Sequence, residues 1–146
     1  MHARWITPLI AVVLASPLQA DEKADAVAMV KAAIAMAKEK GKEATFKEIS
    51  NPKGSLRKGE LYLMVYDLQG NVLAHGSDVR RVGTNQINSK DPDGKLFVKE
   101  RIELAKAAGK GWQDYKYLHP ITHKVEQKTT YIEVWEGCIF GCGVYK

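Results

Sequence analysis

The segment 59–76, GELYLMVYDLQGNVLAHG, decides the fold. Side chains alternate across an extended chain. The first half of the segment therefore has aliphatic residues on one side and larger residues on the other: Leu61, Leu63 and Val65, then Tyr62, Met64 and Tyr66. Residues 67–71 contain turn formers, and 72–75 resume the extended pattern. Because neither side is polar, we expect a central strand covered on one face by a helix. The other face meets a second layer or a ligand cavity rimmed by tyrosine hydroxyls and His75.

The composition indicates one ordinary globular domain. The chain has 146 residues, 45% of them hydrophobic, and a formal net charge of +5. This length allows a single core of modest size. Lysine and arginine are interleaved with aspartate and glutamate, so no basic stripe stands out. We therefore predict a solvated surface and no nucleic-acid partner.

Residues 1–20 have the pattern of an export signal. A weakly basic start with His2 and Arg4 precedes an apolar run over 6–14, and the small residue Ala20 precedes Asp21. The apolar run is shorter than the roughly 20 residues that span a bilayer. We predict a cleaved signal peptide over 1–20, a mature domain over 21–146 and a location in a bacterial periplasm.

The remaining periodicity predicts an α+β fold. Apolar residues recur at three and four positions over 21–40, which predicts a long helix, and a short second helix is expected at 43–49. A polar loop over 77–90 and a turn precede a helix at 96–108. Three more strands are expected, at 112–119, 128–135 and 139–145. We expect a five-stranded antiparallel sheet with the long N-terminal helix packed on one face and a loop and helix covering the other.

Seven short motifs in the order of a known family run through the mature chain. They are Tyr62-x-x-x-Tyr66-Asp67, Val72-Leu73-Ala74-His75, Val82-Gly83-x-Asn85, Asp91-x-Asp93-Gly94-Lys95-x-Phe97-Val98, Gly111-Trp112-x-x-Tyr115, Lys128-x-x-Tyr131 and Gly141-x-Gly143-Val144-Tyr145. On these residues the chain resembles a single Cache domain of the second type, a PAS-like extracellular sensor fold. The resemblance implies a pocket on the sheet face opposite the N-terminal helix, under the loop and helix between the second and third strands.

The resemblance also implies a ligand and a mode of action. Similar domains bind small organic acids such as acetate, propionate and pyruvate. Because the sequence stops at Lys146, directly after the last strand, it resembles a free-standing exported Cache protein. Such a protein would act through a membrane receptor or transporter. Whether it is a monomer or a homodimer is open at this point.

A small carboxylate needs a cation and a few neutral donors in a partly dry pocket. The candidate ligand-binding residues are Tyr66, His75, Trp112, Tyr115, Tyr117, Lys128 and Tyr131. Lys128 and Tyr131 have opposite parity, so a regular strand cannot point both into one pocket. We favour Lys128, provided that a bulge or the strand edge turns it inward; the alternative is a surface lysine. His75 bonded to backbone and Trp112 used in packing are the alternatives for those two residues.

Catalysis and metal binding are not predicted. The sequence has no nucleophile–base pair and no glycine-rich phosphate loop. His119 and His123 are four residues apart, but Pro120 lies between them, so the usual helical zinc geometry fails. We expect a non-catalytic domain without a cofactor.

Cys138 and Cys142 support a second hypothesis. Exported proteins usually pair their cysteines. Four extended residues, however, span roughly 13 Å, whereas a disulfide needs Cα atoms within about 7 Å. Three alternatives stay open: a strained local disulfide, two free thiols on one face, or an intermolecular bridge. The second hypothesis is accordingly a thiol-redox or interaction protein on a Cache scaffold without a small ligand.

Overall fold

The computed structural model describes residues 17–146. Most of the predicted signal peptide, residues 1–16, lies outside the described residues. Helix α1 is Pro17–Lys40 and ends before Gly41, whose φ of 91° leaves the helical region. Helix α2, Lys42–Ser50, follows at once. Within residues 17–146 no helix is both long and apolar enough to span a bilayer.

The sheet is antiparallel and has six strands. They are β1 (Arg57–Lys58), β2 (Leu61–Asp67), β3 (Val72–His75), β4 (Lys110–Leu118), β5 (Val125–Trp135) and β6 (Cys138–Tyr145). The order is β1-β2-β6-β5-β4, and β3 shares one edge of β2 with β1. The five predicted strands are all present, and the predicted α+β architecture, a long N-terminal helix packed on an antiparallel sheet, is confirmed. The sixth strand, β1, has two residues, too few for any periodicity to reveal it.

The quoted segment forms the predicted hairpin. Its turn is stabilised by Asp67, whose Oδ1 accepts hydrogen bonds from the N–H groups of Gln69 and Asn71, each at 2.9 Å. Gly70 has a φ of 91°, a left-handed conformation that favours glycine. On its other edge β2 pairs with β6 from Leu63↔Cys142 to Asp67↔Cys138. The segment therefore lies inside the sheet, as its two apolar faces predicted.

The two faces of the sheet carry separate cores. On the helix-side face, α1 packs against the aliphatic side of β2 and against Phe140, Cys142 and Val144 of β6. On the opposite face Tyr62, Met64 and Tyr66 of β2 pack with a helix from the crossover between β3 and β4. We call this the ligand-side face, because the expected pocket would lie on it. Alternation along β2 alone thus assigns three residues to each core.

The crossover from β3 to β4 covers the ligand-side face. It contains a short 3₁₀ turn, Val79–Arg81, a loop, and helix α3, Phe97–Ala108. Helix α3 ends at Gly109, which adopts a left-handed conformation with a φ of 74°. Because α3 buries its apolar side on the sheet, a polar side chain on that side, such as Arg101, is buried as well. The polar residues buried in this way contribute to the site described next.

Candidate functional site

The centre of the ligand-side face is a buried lysine among tyrosines. Lys128 of β5 has no exposed surface. Its Nζ donates a hydrogen bond of 2.7 Å to the Tyr62 hydroxyl, and it lies 4.4 to 5.0 Å from the ring centroids of Tyr62, Tyr145 and Tyr117. Contacts between a desolvated ammonium and aromatic faces are favourable. The strand needs no bulge here, because Lys128 shares its face with Thr130 and Ile132 by simple alternation.

Glycine on the neighbouring strand makes room for this lysine. Gly143 of β6 lies opposite Thr130 of β5. A methyl group at Gly143 would collide with Cε of Lys128 and Oγ1 of Thr130. The backbone conformation does not require glycine there, so the reason for glycine is this close approach. Gly143 is therefore part of the packing that positions Lys128.

Lys128 has no acidic partner. The ion pairs formed within residues 17–146 do not include it. Burial lowers the pKa of Lys128, but the electrostatic effect of Tyr115 and Tyr62 and the hydrogen bond to Tyr62 outweigh it, and the pKa is raised. Lys128 is therefore a protonated cation at neutral pH. A buried cation without a counter-ion is costly and suits an anionic ligand.

A directed chain of hydrogen bonds begins at Lys128. The Tyr145 hydroxyl donates to the backbone carbonyl of Leu118 at 2.9 Å. It lies 3.3 Å from the Tyr62 hydroxyl. Because a hydroxyl has a single proton, the Tyr62 hydroxyl is the donor of that pair. The chain runs from Lys128 through Tyr62 and Tyr145 to the end of β4, so a new acceptor for Lys128 competes with Tyr62.

A second cation lies on the same face. Arg101 of α3 is 1% exposed, and its guanidinium lies 5.0 Å from the ring centroid of Tyr66 and 5.3 Å from that of Tyr115. The Tyr115 hydroxyl is 2.9 Å from Oγ1 of Thr130, next to the Lys128 position on β5. Tyr115 therefore lies between the arginine and the lysine. Burial raises the pKa of Tyr66, so its hydroxyl stays protonated and available as a donor.

His75 faces the same cluster as a neutral imidazole. Its Nδ1 accepts hydrogen bonds from the backbone N–H groups of Asp78 at 3.0 Å and Ser77 at 3.3 Å, which assigns the proton to Nε2. Its ring lies 5.5 Å from that of Tyr62. Burial, with Lys128, Arg81 and Arg101, lowers the pKa of His75 to about 3. The sequence analysis gave a histidine bonded to backbone as the alternative for His75, and that hydrogen bond is present. The Nε2–H group of the neutral ring remains a hydrogen-bond donor.

An open cleft lies beside this cluster. Its volume is about 520 Å³, and its walls include Arg81, Phe97, Tyr117, Leu118 and Val125, whereas Lys128 is not one of its wall residues. The ring of Tyr117 also contacts Lys128, as described above, so this ring lies between the cleft and the lysine. Arg81 lies over the Tyr117 ring at 5.4 Å.

The structure separates the predicted site residues into two groups. Tyr66, His75, Tyr115, Tyr117 and Lys128 share the ligand-side face, as shown above. Trp112 and Tyr131 lie on the helix-side face, where their ring centroids are 5.5 Å apart. Trp112 also stacks under Lys23 of α1, and the Tyr131 hydroxyl donates to Glu133 at 2.8 Å. Strand parity predicted that Tyr131 and Lys128 would separate, and packing against α1 explains why Trp112 joins Tyr131.

Three residues of the cluster were absent from the sequence-based candidates. Tyr62 had been placed on the face of its strand that meets a second layer or a tyrosine-rimmed cavity, but it was not named as a ligand-binding residue. Tyr145 of β6 lies directly opposite Lys128 of β5, a pairing that is visible only once the register between the two strands is known. Arg101 lies on the apolar side of α3 with Phe97 and Ala105. A charged residue within an apolar helical stripe is the signal that could have identified it.

The two cysteines are free thiols. Cys138 and Cys142 are both buried, on the helix-side face of β6. They lie in one unbroken ladder with β2, so their Cα separation is that of extended chain. Burial raises the pKa of Cys142 to about 12 and also raises that of Cys138. Of the three alternatives, the structure shows two thiols on one face of the strand.

Comparison with solved structures identifies sensor domains as relatives. The periplasmic sensor domain of a chemotaxis protein superposes with a TM-score of 0.71 at 25% identity, covering 90% of this chain and 99% of its own. A methyl-accepting chemotaxis protein from Vibrio parahaemolyticus gives a TM-score of 0.74 at 19% identity, covering 88% and 90%. A Cache chemosensory domain that recognises a carboxylic acid gives 0.69 at 24% identity, covering 89% and 92%. The last two show the shared fold alone.

Comparison with curated sequences gives a longer relative. The sensor histidine kinase MctS of Rhizobium johnstonii is 36% identical over 87 residues, which is 58% of this chain. The chain spans about a fifth of that kinase, since the match covers 18% of it. The family model for Single Cache domain 2 matches residues 19–146. The protein therefore belongs to the Single Cache domain 2 family and is a sensory domain similar to those of chemoreceptors and histidine kinases.

Proposed function

We propose that the protein is an exported, non-catalytic sensory module that binds a small organic acid at Lys128. The observation that carries this proposal is the fully buried ammonium of Lys128, which has tyrosine hydroxyls around it and no carboxylate partner. A carboxylate ligand would supply the missing negative charge. Acetate, propionate and pyruvate each carry one carboxylate that could supply this charge.

The chemistry of the surrounding groups is that of a carboxylate receptor. Charge-assisted hydrogen bonds are strongest where water is excluded. Lys128 supplies the charge, while the neutral imidazole of His75 and the hydroxyl of Tyr117 are hydrogen-bond donors. Burial raises the pKa of Tyr117, so its hydroxyl keeps its proton.

The relatives support a sensory role more strongly than they support a particular ligand. One solved relative recognises a carboxylic acid, but at 24% identity it contributes the fold and not the ligand. The case for an acid here depends on Lys128. A membrane receptor or transporter is the partner that we propose for an exported sensory domain. A homodimer of the chain is compatible with that role.

The direct test is a thermal-shift screen of the purified protein against carboxylates of two to four carbons, with amino acids and urea as comparison compounds. A ligand that binds only the native state stabilises it by about 2.7 kcal/mol at a hundredfold excess over Kd. We expect a shift with at least one carboxylate and none with urea. Tyr115→Phe should weaken the binding of that acid, because the Tyr115 hydroxyl orients Thr130 beside Lys128. The absence of any shift with every acid would contradict the proposal.

The thiol-redox alternative has less support. A reactive thiol has a low pKa and access to solvent. Cys142 is fully buried and its pKa is raised to about 12, and Cys138 is 5% exposed. Reversible oxidation with no ligand would nevertheless favour that alternative over the binding module. Comparing ligand affinity and melting temperature with and without a reductant separates the two hypotheses.

A further inference from the structure

Arg101 has unused hydrogen-bonding capacity inside the protein. Its Nη1 and Nη2 are buried and make no hydrogen bond of normal geometry, although the Tyr66 side chain lies close to the guanidinium. Among residues 17–146 no other buried side-chain nitrogen or oxygen lacks a hydrogen-bond partner. Buried polar groups in native proteins are usually paired, and a buried unpaired guanidinium is especially costly. A ligand that bonds to Nη1 and Nη2 would remove this cost.

The guanidinium is held in a fixed orientation. Its Nε donates to Oε1 of Gln113 at 3.1 Å. The Gln113 amide in turn donates to the backbone carbonyl of Phe97 at 2.6 Å, at the start of α3. Gln113 is 3% exposed, so water does not compete strongly for these bonds. One edge of Arg101 is therefore bound to protein, and the other edge, Nη1 and Nη2, is free within the cluster of tyrosines.

The two buried cations belong to one site. The Tyr115 ring contacts Arg101, and the Tyr115 hydroxyl meets Thr130, which is on the same face of β5 as Lys128. Both cations are also among the groups that lower the pKa of His75. With Arg81 in the wall of the neighbouring cleft, the site has an excess of positive charge and no acidic side chain paired with either buried cation. A ligand whose single oxygen-bearing group binds one of the two cations leaves the hydrogen-bond donors of the other cation without an acceptor.

We propose that Arg101 is a second ligand-binding group, and that the site selects small acids carrying a second oxygen acceptor. Such an acceptor is a 2-oxo group, a 2-hydroxy group or a second carboxylate. One oxygen-bearing group binds Lys128 and the other binds Nη1 and Nη2 of Arg101. This inference rests on the proposed function, since it specifies the class of acid that the same site prefers.

The test compares acids of three carbons that differ in whether they carry a second oxygen-bearing group and in which one. Isothermal titration calorimetry is run with propionate, lactate, pyruvate and malonate against the wild-type protein, Arg101→Gln and the exposed control Lys106→Gln on the same helix. We expect at least one of the three substituted acids to bind ten or more times as tightly as propionate. Arg101→Gln should lower the affinity for that acid at least tenfold and change the affinity for propionate less than threefold. Arg101→Lys should restore part of the lost affinity. Lys106→Gln should change nothing.

Several results would overturn the inference. If propionate binds as tightly as all three substituted acids, Arg101 does not select a second acceptor, although the proposed function stands. If Arg101→Gln lowers the affinity for all four acids by the same factor, Arg101 contributes to the fold or to the overall positive charge of the site and does not bind a second acceptor. If none of the four acids binds wild type, both proposals fail together. Should Arg101→Gln fail to fold by circular dichroism, the wild-type ratio of affinities decides alone.

Discussion

Replacing Lys128 by methionine should abolish acid binding and leave the ligand-free protein equally stable or more stable. Methionine has a similar length and can fill the channel that Gly143 leaves for the lysine side chain. Loss of function through a core residue usually comes with loss of stability, since truncating a large buried side chain costs about 2–5 kcal/mol. The opposite expectation here follows from the missing counter-ion.

The magnitude follows from the contacts of Lys128. Burying an ammonium with no exposed surface costs several kcal/mol even after relaxation. Against this, its hydrogen bond to Tyr62 contributes about 1.5–3 kcal/mol, and its contacts with three aromatic rings about 2 kcal/mol. These terms nearly cancel. Methionine removes all of them, gains apolar burial, and leaves the Tyr62 hydroxyl paired with Tyr145. We therefore expect the unfolding free energy to stay within about 1 kcal/mol or to rise by about 1–3 kcal/mol.

Urea unfolding followed by tryptophan fluorescence measures this difference, with calorimetric titration of pyruvate on the same samples. The exposed Lys99→Met variant on α3 is the matched control, and its unfolding free energy should change by less than about 0.5 kcal/mol. A fall of more than about 2 kcal/mol in Lys128→Met, with an unchanged m-value, would refute the reasoning. Such a fall would mean that Lys128 stabilises the folded state. Retained pyruvate binding in that variant would refute its role as the receptor cation.

Three further expectations test the surroundings. Gly143→Ala should displace Lys128 and weaken acid binding at least tenfold by calorimetry; Gly141→Ala, whose methyl meets side-chain carbons at 3.3–3.5 Å, should weaken it less. Below pH 6.5 the unfolded chain protonates His75, but the folded chain does not until about pH 3. Urea titrations should therefore show a loss of about 2 kcal/mol between neutral pH and pH 5, and His75→Asn should lose that part of the slope. Cys142, with its raised pKa, should react with a thiol reagent such as DTNB only after unfolding; rapid reaction in the native protein would contradict its burial.

Local pattern was sufficient to predict most of the fold. Alternation along 59–76 assigned the residues of β2 to two faces, and the structure has both cores on those faces. The ends of α1, α2 and α3 were predicted to within a residue or two because glycine or asparagine follows each of them. The start of α1 was the exception, four residues earlier than expected. Pairing partners were not predictable, since the β2–β6 contact joins residues about 75 positions apart and leaves no local trace.

The site was predicted less completely than the fold, for a physical reason. Strand parity separated Lys128 from Tyr131 but could not say which of them meets the ligand-side face. That choice depends on the register between β5 and β6, which puts Gly143 beside Lys128 and the bulky Phe140 on the opposite face. Arg101 lies on the apolar side of α3 with Phe97 and Ala105, although its charge contradicts that environment. The apolar patterns that predicted the fold took no account of charged residues at buried positions, and these are the residues that form the site.

The distribution of these conflicts supports a binding site more strongly than any one residue does. The helix-side core of β6 uses Phe140, Cys142 and Val144 and has no unpaired charge. The ligand-side face of the same strand uses Ile139, Gly141, Gly143 and Tyr145. Lys128 lies against Gly143, and Arg101 lies over Tyr66 and Tyr115 on the same side of the sheet. An acid that displaces Tyr62 from Lys128 would alter the hydrogen bonds through Tyr145 to the end of β4. A domain that signals the presence of a bound ligand needs two alternative sets of hydrogen bonds, one with the ligand and one without it. In this protein the hydrogen bonds that could change lie beside the unpaired cations.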